Sequence, residues 1–201
     1  MPVPTPYHAS MDDENEDTPY TAGLAPTLLL SMPQLNDPNF KRTVVLLCEH
    51  SGDGAFGLVL NRPAGALAAD VIQLDPPVTG DRTLQLWIGG PVEQQRGWIL
   101  IGEKPADVES IRVIDGLYLS ASPVLLRRLL DGAPPARSRF LVGYAGWGPG
   151  QLDGELLQSA WLTADVALDL VFDTEAETMW DAAIRRLGVD PNALQMSPGV
   201  H

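Results

Sequence analysis

The sequence predicts one domain that combines many short β-strands with a few helices, and three observations support this prediction. Short apolar runs recur between clusters of turn residues, which is typical of strands. Two segments carry the apolar period and the end signals of helices. The chain has 201 residues and a hydrophobic fraction of 45%, so it is long enough to bury a sizeable core.

Residues 1–20 are expected to form a disordered acidic extension ahead of a single domain over residues 21–201. The extension carries four prolines and five acids, without Lys or Arg and almost without large aliphatic side chains. Such a segment buries too little surface to offset its chain entropy. The net charge of −13 becomes −8 when those five acids are removed, so the domain itself is acidic. Binding to nucleic-acid backbones draws on positive charge and is therefore not expected.

The composition favours a cytoplasmic location. The single cysteine, Cys48, cannot form an internal disulfide, which fits a reducing compartment. The chain has no basic region followed by an apolar core, and no run of about 20 apolar residues. We therefore expect neither a secretory signal nor contact with a membrane.

The strands are predicted from apolar runs that end at turn residues. They are expected at residues 27–32, 43–50, 56–61, 84–88, 98–101, 111–114, 117–120, 140–145 and 161–164. The run at 43–50 is apolar on both faces, which predicts a central strand. Turns at residues 36–39 and 51–54 flank it, and Asp115-Gly116 is a strong two-residue hairpin signal.

The helices are predicted from apolar spacing and capping residues. They are expected at residues 67–74, between Ser122 and Gly132, from near Pro149, and at residues 174–187. The helix from Pro149 should carry Leu157 inward together with Leu152 and Leu156. Thr174 and Glu177 are predicted to form a capping box at the start of the last helix.

Histidine use limits the possible chemistry, because only His50 lies in the body of the chain. Any Ser–His or Cys–His mechanism must use His50 unless a terminus folds back. Cys48 and His50 should share a strand face about 7 Å apart, which is awkward for a hydrogen bond. Glu49 should point to the opposite face, where a general base could sit, but an ion pair at the end of the strand is the favoured interpretation. We assign no catalytic residue and keep Glu49 and His50 as weak candidates, since a buried Cys beside a structural His is the favoured interpretation.

No cofactor or metal is expected. The residues 52–57 match G-x-G-x-x-G, but a strand follows them where a dinucleotide site needs a helix. A structural zinc site needs four ligands, usually Cys and His, which the chain cannot supply. No EF-hand pattern is present.

The glycine-rich residues 146–150 form a second candidate site. Glycines between a strand and a helix let backbone amides approach an anion or another chain closely. Trp147 could stack on a planar group there, and the alternative is that Trp147 plugs the core.

Three arginines adjoin turns and form a third candidate. Arg42, Arg62 and Arg96 could form an anion-binding cluster. The favoured interpretation is instead a set of structural ion pairs with the acids at positions 37, 49 or 93.

Four segments, taken in order, resemble one family. They are SMPQLNDPNFKRTVVLLCEH, GAFGLVLNRP, GGPVEQQRGWIL and GYAGWGPGQLDGELLQSAWL. Together with the closing residues 180–200 they are similar to the YqgE/AlgH family of bacterial proteins, over about residues 24–201. The resemblance implies an α+β domain whose mostly antiparallel mixed sheet bends into a partly open barrel flanked by helices. It also supports a break after Ala164.

The resemblance implies no established activity and no agreed catalytic residues. Some family members are labelled transcriptional regulators of polysaccharide production, but no helix-turn-helix is evident here. The polar and aromatic positions in the resembling segments are the candidate binding residues. They are Asp37, Asn39, Arg42, Asn61, Arg62, Arg96, Trp147 and Gln151, with Glu49, His50 and Glu155 in the same segments.

We therefore expect a non-enzymatic binding or regulatory protein, monomeric or weakly self-associating. A partner protein or a small ligand would bind at the turns around Asp37, Arg62 and Trp147. One alternative is a hydrolase that uses Glu49 or His50 as its base. Another is a transcriptional regulator that acts indirectly or on DNA.

Overall fold

The computed structural model describes residues 23–35, 37–78, 80, 83–106 and 108–195. The predicted extension at residues 1–20 and the closing residues 196–201 lie outside the described residues. The strands are β1 Thr27–Ser31, β2 Val44–Ser51, β3 Gly54–Val59, β4 Pro63–Leu67, β5 Gln85–Ile88, β6 Val92–Ile101, β7 Ile111–Ile114, β8 Leu117–Ser120, β9 Ser138–Trp147 and β10 Trp161–Ala164. The helices are α1 Ala68–Val71, α2 Pro123–Asp131, α3 Gln151–Leu157, α4 Leu168–Phe172, α5 Ala176–Arg186 and α6 Pro191–Gln195.

The strands form one large, mostly antiparallel sheet. Its hydrogen-bonded path runs β10-β1-β2-β3-β9-β6-β8-β7. Strand β5 pairs with β9 in parallel and with β4 in antiparallel orientation, so the sheet is mixed. The α+β class is therefore confirmed. The path begins at β10 and ends at β7 without joining them, so the sheet is not closed into a barrel.

Strand β9 is the centre of the sheet, because it pairs with three other strands. Its last residues pair with the start of β3, and Ala55 lies opposite Trp147. Its middle pairs with β6 on one side and with β5 on the other. The ends of β2 and β9 therefore lie beside the starts of β3 and β6, at the same end of the sheet.

The inner strands are buried on both faces. In β1, Leu28 and Leu30 face the core covered by α4 and α5, whereas Leu29 faces the core covered by α3. Strand β2 alternates in the same way over Val44 to Leu47, which confirms the predicted central strand. A third core lies under α2.

Several helix predictions are confirmed. The hydroxyl of Ser122 accepts a hydrogen bond from the Leu125 amide at 3.3 Å, with proline at the first helical position. The break after Ala164 is real, since β10 ends there and α4 follows.

Other element predictions were wrong. Glu175, not Thr174, precedes the first turn of α5 without a side-chain cap, and the Thr174 hydroxyl donates to the Asp169 carbonyl. Leu157 is 87% exposed, whereas Leu156 packs against the core on the α3 side, because adjacent helical residues point in different directions. Strand β6 begins at Val92, six residues before its apolar run, because backbone pairing with Tyr144 of β9 extends it through polar residues.

The described helices are all too short or too polar to cross a lipid bilayer. The longest of them, α5, has 11 residues, whereas a spanning helix needs about 20.

Candidate functional site

The candidate binding residues lie at opposite ends of the β2–β3 hairpin. Residues 37–42, Asn61 and Arg62 adjoin the start of β2 and the end of β3. Glu49 and His50 lie at the other end, where β3 begins opposite Trp147. The register of the sheet therefore divides the candidates into two groups.

Residues 37–42, which we call the β1–β2 loop, are stabilised by local hydrogen bonds. The carboxylate of Asp37 accepts a hydrogen bond from the Asn39 amide at 2.8 Å, and its carbonyl accepts one from the Phe40 amide at 3.0 Å. The Thr43 hydroxyl donates to the Phe40 carbonyl at 2.9 Å. This is the turn chemistry predicted for Asp37. It leaves Asn39 and Lys41 exposed.

Asn61 and Arg62 fasten this loop to the sheet. The buried Asn61 amide group donates to the Arg42 carbonyl at 2.9 Å, and its oxygen accepts from the Val44 amide at 3.0 Å. The Arg62 guanidinium donates to the carbonyl of Lys41 and to that of Asn61. Burial lowers the pKa of Arg62. The polar groups of both side chains therefore form hydrogen bonds to backbone groups in and beside the loop.

Arg42 is the most constrained residue of the loop. Its φ of 52° is in the left-handed region, which a non-glycine residue rarely adopts. Its guanidinium pairs with Asp181 of α5 at 2.5 Å and lies 4.5 Å from the ring centroid of Trp180. The predicted pairing of Arg42 with an acid at position 37, 49 or 93 was therefore wrong, because α5 brings a different acid to it.

Trp147 is packed in the core on the α3 side of the sheet, and only 5% of it is exposed. Its ring lies 6.3 Å from Phe40 and 5.9 Å from Trp161. The indole groups of Trp147 and Trp161 both donate to the same carboxylate oxygen of Glu155, at 3.0 and 2.7 Å. Gln151 donates to the other oxygen at 2.9 Å. The glycine-rich residues 146–150 thus include a tryptophan of an aromatic cluster, and the indole donors of Trp147 and Trp161 both have an acceptor within the protein.

His50 is fully engaged by the protein itself. Its Nδ1 accepts a hydrogen bond from the Leu24 amide at 3.1 Å, so that nitrogen carries no proton. Its Nε2 lies 3.3 Å from a carboxylate oxygen of Asp153 at the start of α3. A general base needs a nitrogen that is free to accept a proton from the nucleophile. Neither nitrogen of His50 is free in this way.

Cys48 and His50 do not share a strand face, so that prediction was wrong. A β-bulge between Leu47 and Glu49 shifts the register, since two residues of β2 then oppose one of β3. Cys48 packs on the α5 side, whereas His50 reaches α3 on the other side. Desolvation, reinforced by Glu49, raises the pKa of the Cys48 thiol to about 12. A thiol in this state is not a nucleophile at neutral pH.

The bulge also decides the position of Glu49. Its register partner is Phe56, and directly paired residues point to the same face of a sheet. The Glu49 carboxylate has no hydrogen bond or ion pair within the described part of the chain, so the ion pair favoured from the sequence is not formed there. Its neighbour on that face is the aromatic ring of Phe56, and no nucleophile among the described residues is hydrogen-bonded to the carboxylate.

Arg96 lies in a different cluster from Arg42 and Arg62. Its guanidinium is 3.4 Å from the Glu93 carboxylate, which confirms one of the predicted pairs. It also lies 4.6 Å from the ring centroid of Trp98. A cleft of about 640 Å³ is lined by Pro91, Glu93, Gln94, Gln95 and Arg96. The three arginines therefore do not form one anion-binding cluster.

Sequence reasoning missed several residues that organise these regions. Arg139 of β9 is 5% exposed, donates to the Leu60 carbonyl at 2.6 Å and lies 3.9 Å from the Trp87 ring. Its pKa is lowered to about 10, chiefly by burial. No local pattern distinguishes it from a surface arginine. Asp153 had a signal, since it lies in the first turn of a helix that follows the glycines.

Comparison with known proteins gives a consistent result. A family model described as AlgH-like (DUF179) matches residues 28–192. A UPF0301 protein of Ruegeria pomeroyi is 39% identical over 176 residues, which cover 86% of this chain and 96% of the relative. A UPF0301 protein of Myxococcus xanthus is 42% identical over 180 residues, which cover 89% and 98%.

Two solved structures have a similar fold. The solution structure of the AlgH protein from Pseudomonas aeruginosa matches with a TM-score of 0.72 and 35% identity, over 94% of this chain and 100% of that one. A crystal structure of a Corynebacterium diphtheriae protein matches with a TM-score of 0.63 and 24% identity, over 88% and 92%. At that identity the second match shows the fold alone. The names of these relatives state no ligand, partner or reaction.

Proposed function

This chain belongs to the AlgH-like (UPF0301) family, as the resemblance in its sequence indicated, and on that basis we propose that it is a non-enzymatic binding or regulatory module of the cytoplasm. We further propose that residues 21–201 act as one domain. The observation that carries the proposal is the state of His50. Both of its nitrogens are engaged within the protein, by the Leu24 amide and by Asp153.

The neighbouring groups add to this argument. The thiol of Cys48 is held protonated by its surroundings and packs on the opposite face from His50. A Cys–His or Ser–His mechanism needs the nucleophile within hydrogen-bond reach of a base. The described residues around His50 offer no such pair. Binding, rather than covalent chemistry, is the function that this arrangement supports.

The proposed recognition surface is the β1–β2 loop with the exposed residues that adjoin it. Asn61 and Arg62 fix the backbone of this loop through side-chain hydrogen bonds, Ser31 holds the Thr43 amide that follows it, and Phe40 anchors it to Trp147. A loop that is already ordered loses little entropy when a partner binds. We propose that a partner protein recognises the exposed face of this loop at Asn39 and Lys41, with Gln151 near the Trp147 anchor.

A capture experiment with paired variants tests the proposal. Asn39→Arg and Lys41→Glu change exposed side chains that hold no part of the loop, so both variants should fold like the wild type. Lys104→Glu makes the same charge change as Lys41→Glu at an exposed position outside the loop. We expect both loop variants to lose a partner that wild type and Lys104→Glu capture from lysate of the source organism. If the loop variants capture the same proteins as the wild type, the surface is assigned wrongly.

Two other functions are tested directly. A hydrolase that uses Glu49 or His50 would cleave generic ester or phosphate substrates, and its rate would fall in His50→Ala and Glu49→Gln. Such a dependence would overturn the non-enzymatic proposal. A regulator that contacts DNA would shift a labelled duplex at low salt, where electrostatic binding is strongest. With a net charge of −13, we expect no shift.

A further inference from the structure

A four-residue bulge interrupts the pairing of β6 with β9. Val92 pairs with Tyr144 and Gly97 pairs with Val142, so residues 93–96 of β6 oppose the single residue Gly143. Glu93 has a φ of 44°, which is strained for a non-glycine residue. Strained backbone of this kind persists only where its surroundings hold it, and it is concentrated at binding sites.

Three aromatic side chains lie beside this bulge. The ring of Trp98 is 4.7 Å from Phe56 and 6.2 Å from Tyr144, and Phe56 is 5.2 Å from Tyr144. All three are half-buried, so part of this aromatic surface remains accessible. The guanidinium of Arg96 covers the ring of Trp98.

The cluster holds more hydrogen-bond donors than it uses. Trp98 Nε1 is shielded from solvent and has no acceptor, the one such side-chain atom within the described residues. Arg96 has five N–H donors, and its described hydrogen bond is a long contact of 3.4 Å to Glu93. That pair is solvent-exposed, at 34% and 41%, and is therefore weak. Trp98 Nε1 is therefore the donor of this cluster that neither the described protein groups nor solvent satisfies, whereas the exposed N–H groups of Arg96 are open to water or to an anion.

We propose that the cleft at residues 91–96 is a binding site for a small oxyanion attached to a planar apolar body. The oxyanion, a carboxylate or a phosphate, replaces Glu93 as the partner of Arg96 and accepts a hydrogen bond from Trp98. As Arg96 turns toward the anion it uncovers the ring of Trp98, and the planar body packs against the aromatic cluster. This site lies apart from the β1–β2 loop, so the inference goes beyond the proposed function.

The shape and charge of the site fit such a ligand. The cleft at residues 91–96 is shallow and open to solvent, so a small anion can reach the Arg96 guanidinium. A planar guanidinium binds carboxylate or phosphate through two parallel hydrogen bonds. Glu93 and Arg96 also act on Tyr144, whose pKa is raised first by burial and then by Glu93, so the three charged or polar groups share one environment.

Titration calorimetry on the full chain tests the proposal with four probes. Benzoate and phenyl phosphate carry both the oxyanion and a ring, whereas acetate and inorganic phosphate carry the oxyanion alone. We expect saturable binding of benzoate or phenyl phosphate, with the matching ringless anion weaker by about tenfold or more. The preferred member of the aromatic pair identifies the oxyanion as carboxylate or phosphate.

Three variants and a control locate the binding. Arg96→Gln should weaken binding by about tenfold or more, and Trp98→Phe by about fivefold, because each removes donors to the oxyanion. Glu93→Gln should tighten binding, since it frees Arg96. Arg112→Gln removes an exposed arginine that pairs with Asp115 on another hairpin, and it should bind like the wild type.

Several results would overturn the proposal. They are the absence of saturation with both aromatic probes, unchanged binding in Arg96→Gln, or a loss in Glu93→Gln as large as that in Arg96→Gln. Equal binding of acetate and benzoate would show that the aromatic cluster takes no part. Because the readout is calorimetry with defined probes, failure here leaves the partner-capture result of the β1–β2 loop unaffected.

Discussion

The carboxylate of Glu155 accepts a hydrogen bond of 2.7 Å from the indole of Trp161, and the same oxygen accepts one of 3.0 Å from Trp147. Both tryptophans are buried, with 4% and 5% of their surface exposed. The second carboxylate oxygen accepts from Gln151. One charged group of α3 therefore satisfies the donors of two core side chains that come from β9 and β10.

Glu155→Gln should destabilise the fold. The neutral amide oxygen of glutamine accepts both indole hydrogen bonds less strongly than the carboxylate oxygen does, since charge-assisted hydrogen bonds are the stronger kind. Weakening two such bonds should cost about 1–3 kcal/mol of unfolding free energy. Urea unfolding followed by tryptophan fluorescence measures this loss. Glu103→Gln, at an exposed position, should leave the midpoint unchanged, and equal midpoints for the two variants would contradict the prediction.

His50→Ala should release the backbone at Leu24. The imidazole is the acceptor for the Leu24 amide, and its loss should cost about 1 kcal/mol locally. Amide hydrogen exchange at Leu24 should then be roughly fivefold faster, because local opening sets the exchange rate. Asp153→Asn keeps the imidazole and its Nδ1 acceptor, so exchange at Leu24 should stay close to wild type. Faster exchange in both variants would assign the anchoring to Asp153 instead.

Cys48 should make stability depend on pH at the alkaline end. Burial raises the pKa of its thiol from 9.0 to about 12. The unfolded thiol ionises first, so the contribution is complete below about pH 9 and is lost as the pH rises toward 12. The slope of this loss is at most about 1.4 kcal/mol per pH unit. Urea unfolding of wild type and Cys48→Ala between pH 8 and about 11 should show the steeper decline in the wild type alone, and parallel profiles would refute it.

The same burial predicts how Cys48 reacts. Iodoacetamide should leave the native thiol unmodified near neutral pH and alkylate it once the chain is unfolded in urea, because only the thiolate attacks. Mass spectrometry distinguishes the two states. Rapid labelling of the native protein would show that the thiol is accessible and ionised.

Asn61→Ala should loosen the β1–β2 loop as well as the fold. The side chain satisfies the Arg42 carbonyl and the Val44 amide, and the loss of both bonds should cost about 1–3 kcal/mol. Thermal unfolding measures the loss. Asn39→Ala, at an exposed position in the same loop, is the matched control and should change stability by less than about 0.5 kcal/mol. Equal stability of the two variants would show that Asn61 does not hold the loop.

Arg139→Ala should be costly although no acid contacts the guanidinium in a described salt bridge. The residue is buried, stacks on Trp87 and donates to the Leu60 carbonyl. Losing the stack and leaving that carbonyl unpaired should cost about 2 kcal/mol or more. Arg112→Ala removes an exposed arginine and should cost less than about 0.5 kcal/mol. Urea unfolding compares the two, and equal losses would contradict a structural role for Arg139.

Much of the fold follows from local patterns. The β2–β3 hairpin, the Asp115-Gly116 turn and the Ser122 cap each involve residues close together in the chain, and all three are present. Two of the errors came where a neighbouring strand changed the local pattern. The bulge between Leu47 and Glu49 separated Cys48 from His50, and pairing with β9 extended β6 through polar residues.

The sequence by itself determined the types of most elements, the central place of β2 and the family. Each of these depends on composition, period or turn chemistry within a short stretch. Only the tertiary structure decided which side chains meet. Leu24 with His50, Arg42 with Asp181, and Trp180 with the Ser31 carbonyl are pairs separated by 26, 139 and 149 residues. The path of the chain through the sheet sets such contacts, because each partner is compatible locally with many others. The candidate residues were therefore found from the sequence, but the division between the β1–β2 loop, His50 and the Arg96 cleft came from the fold.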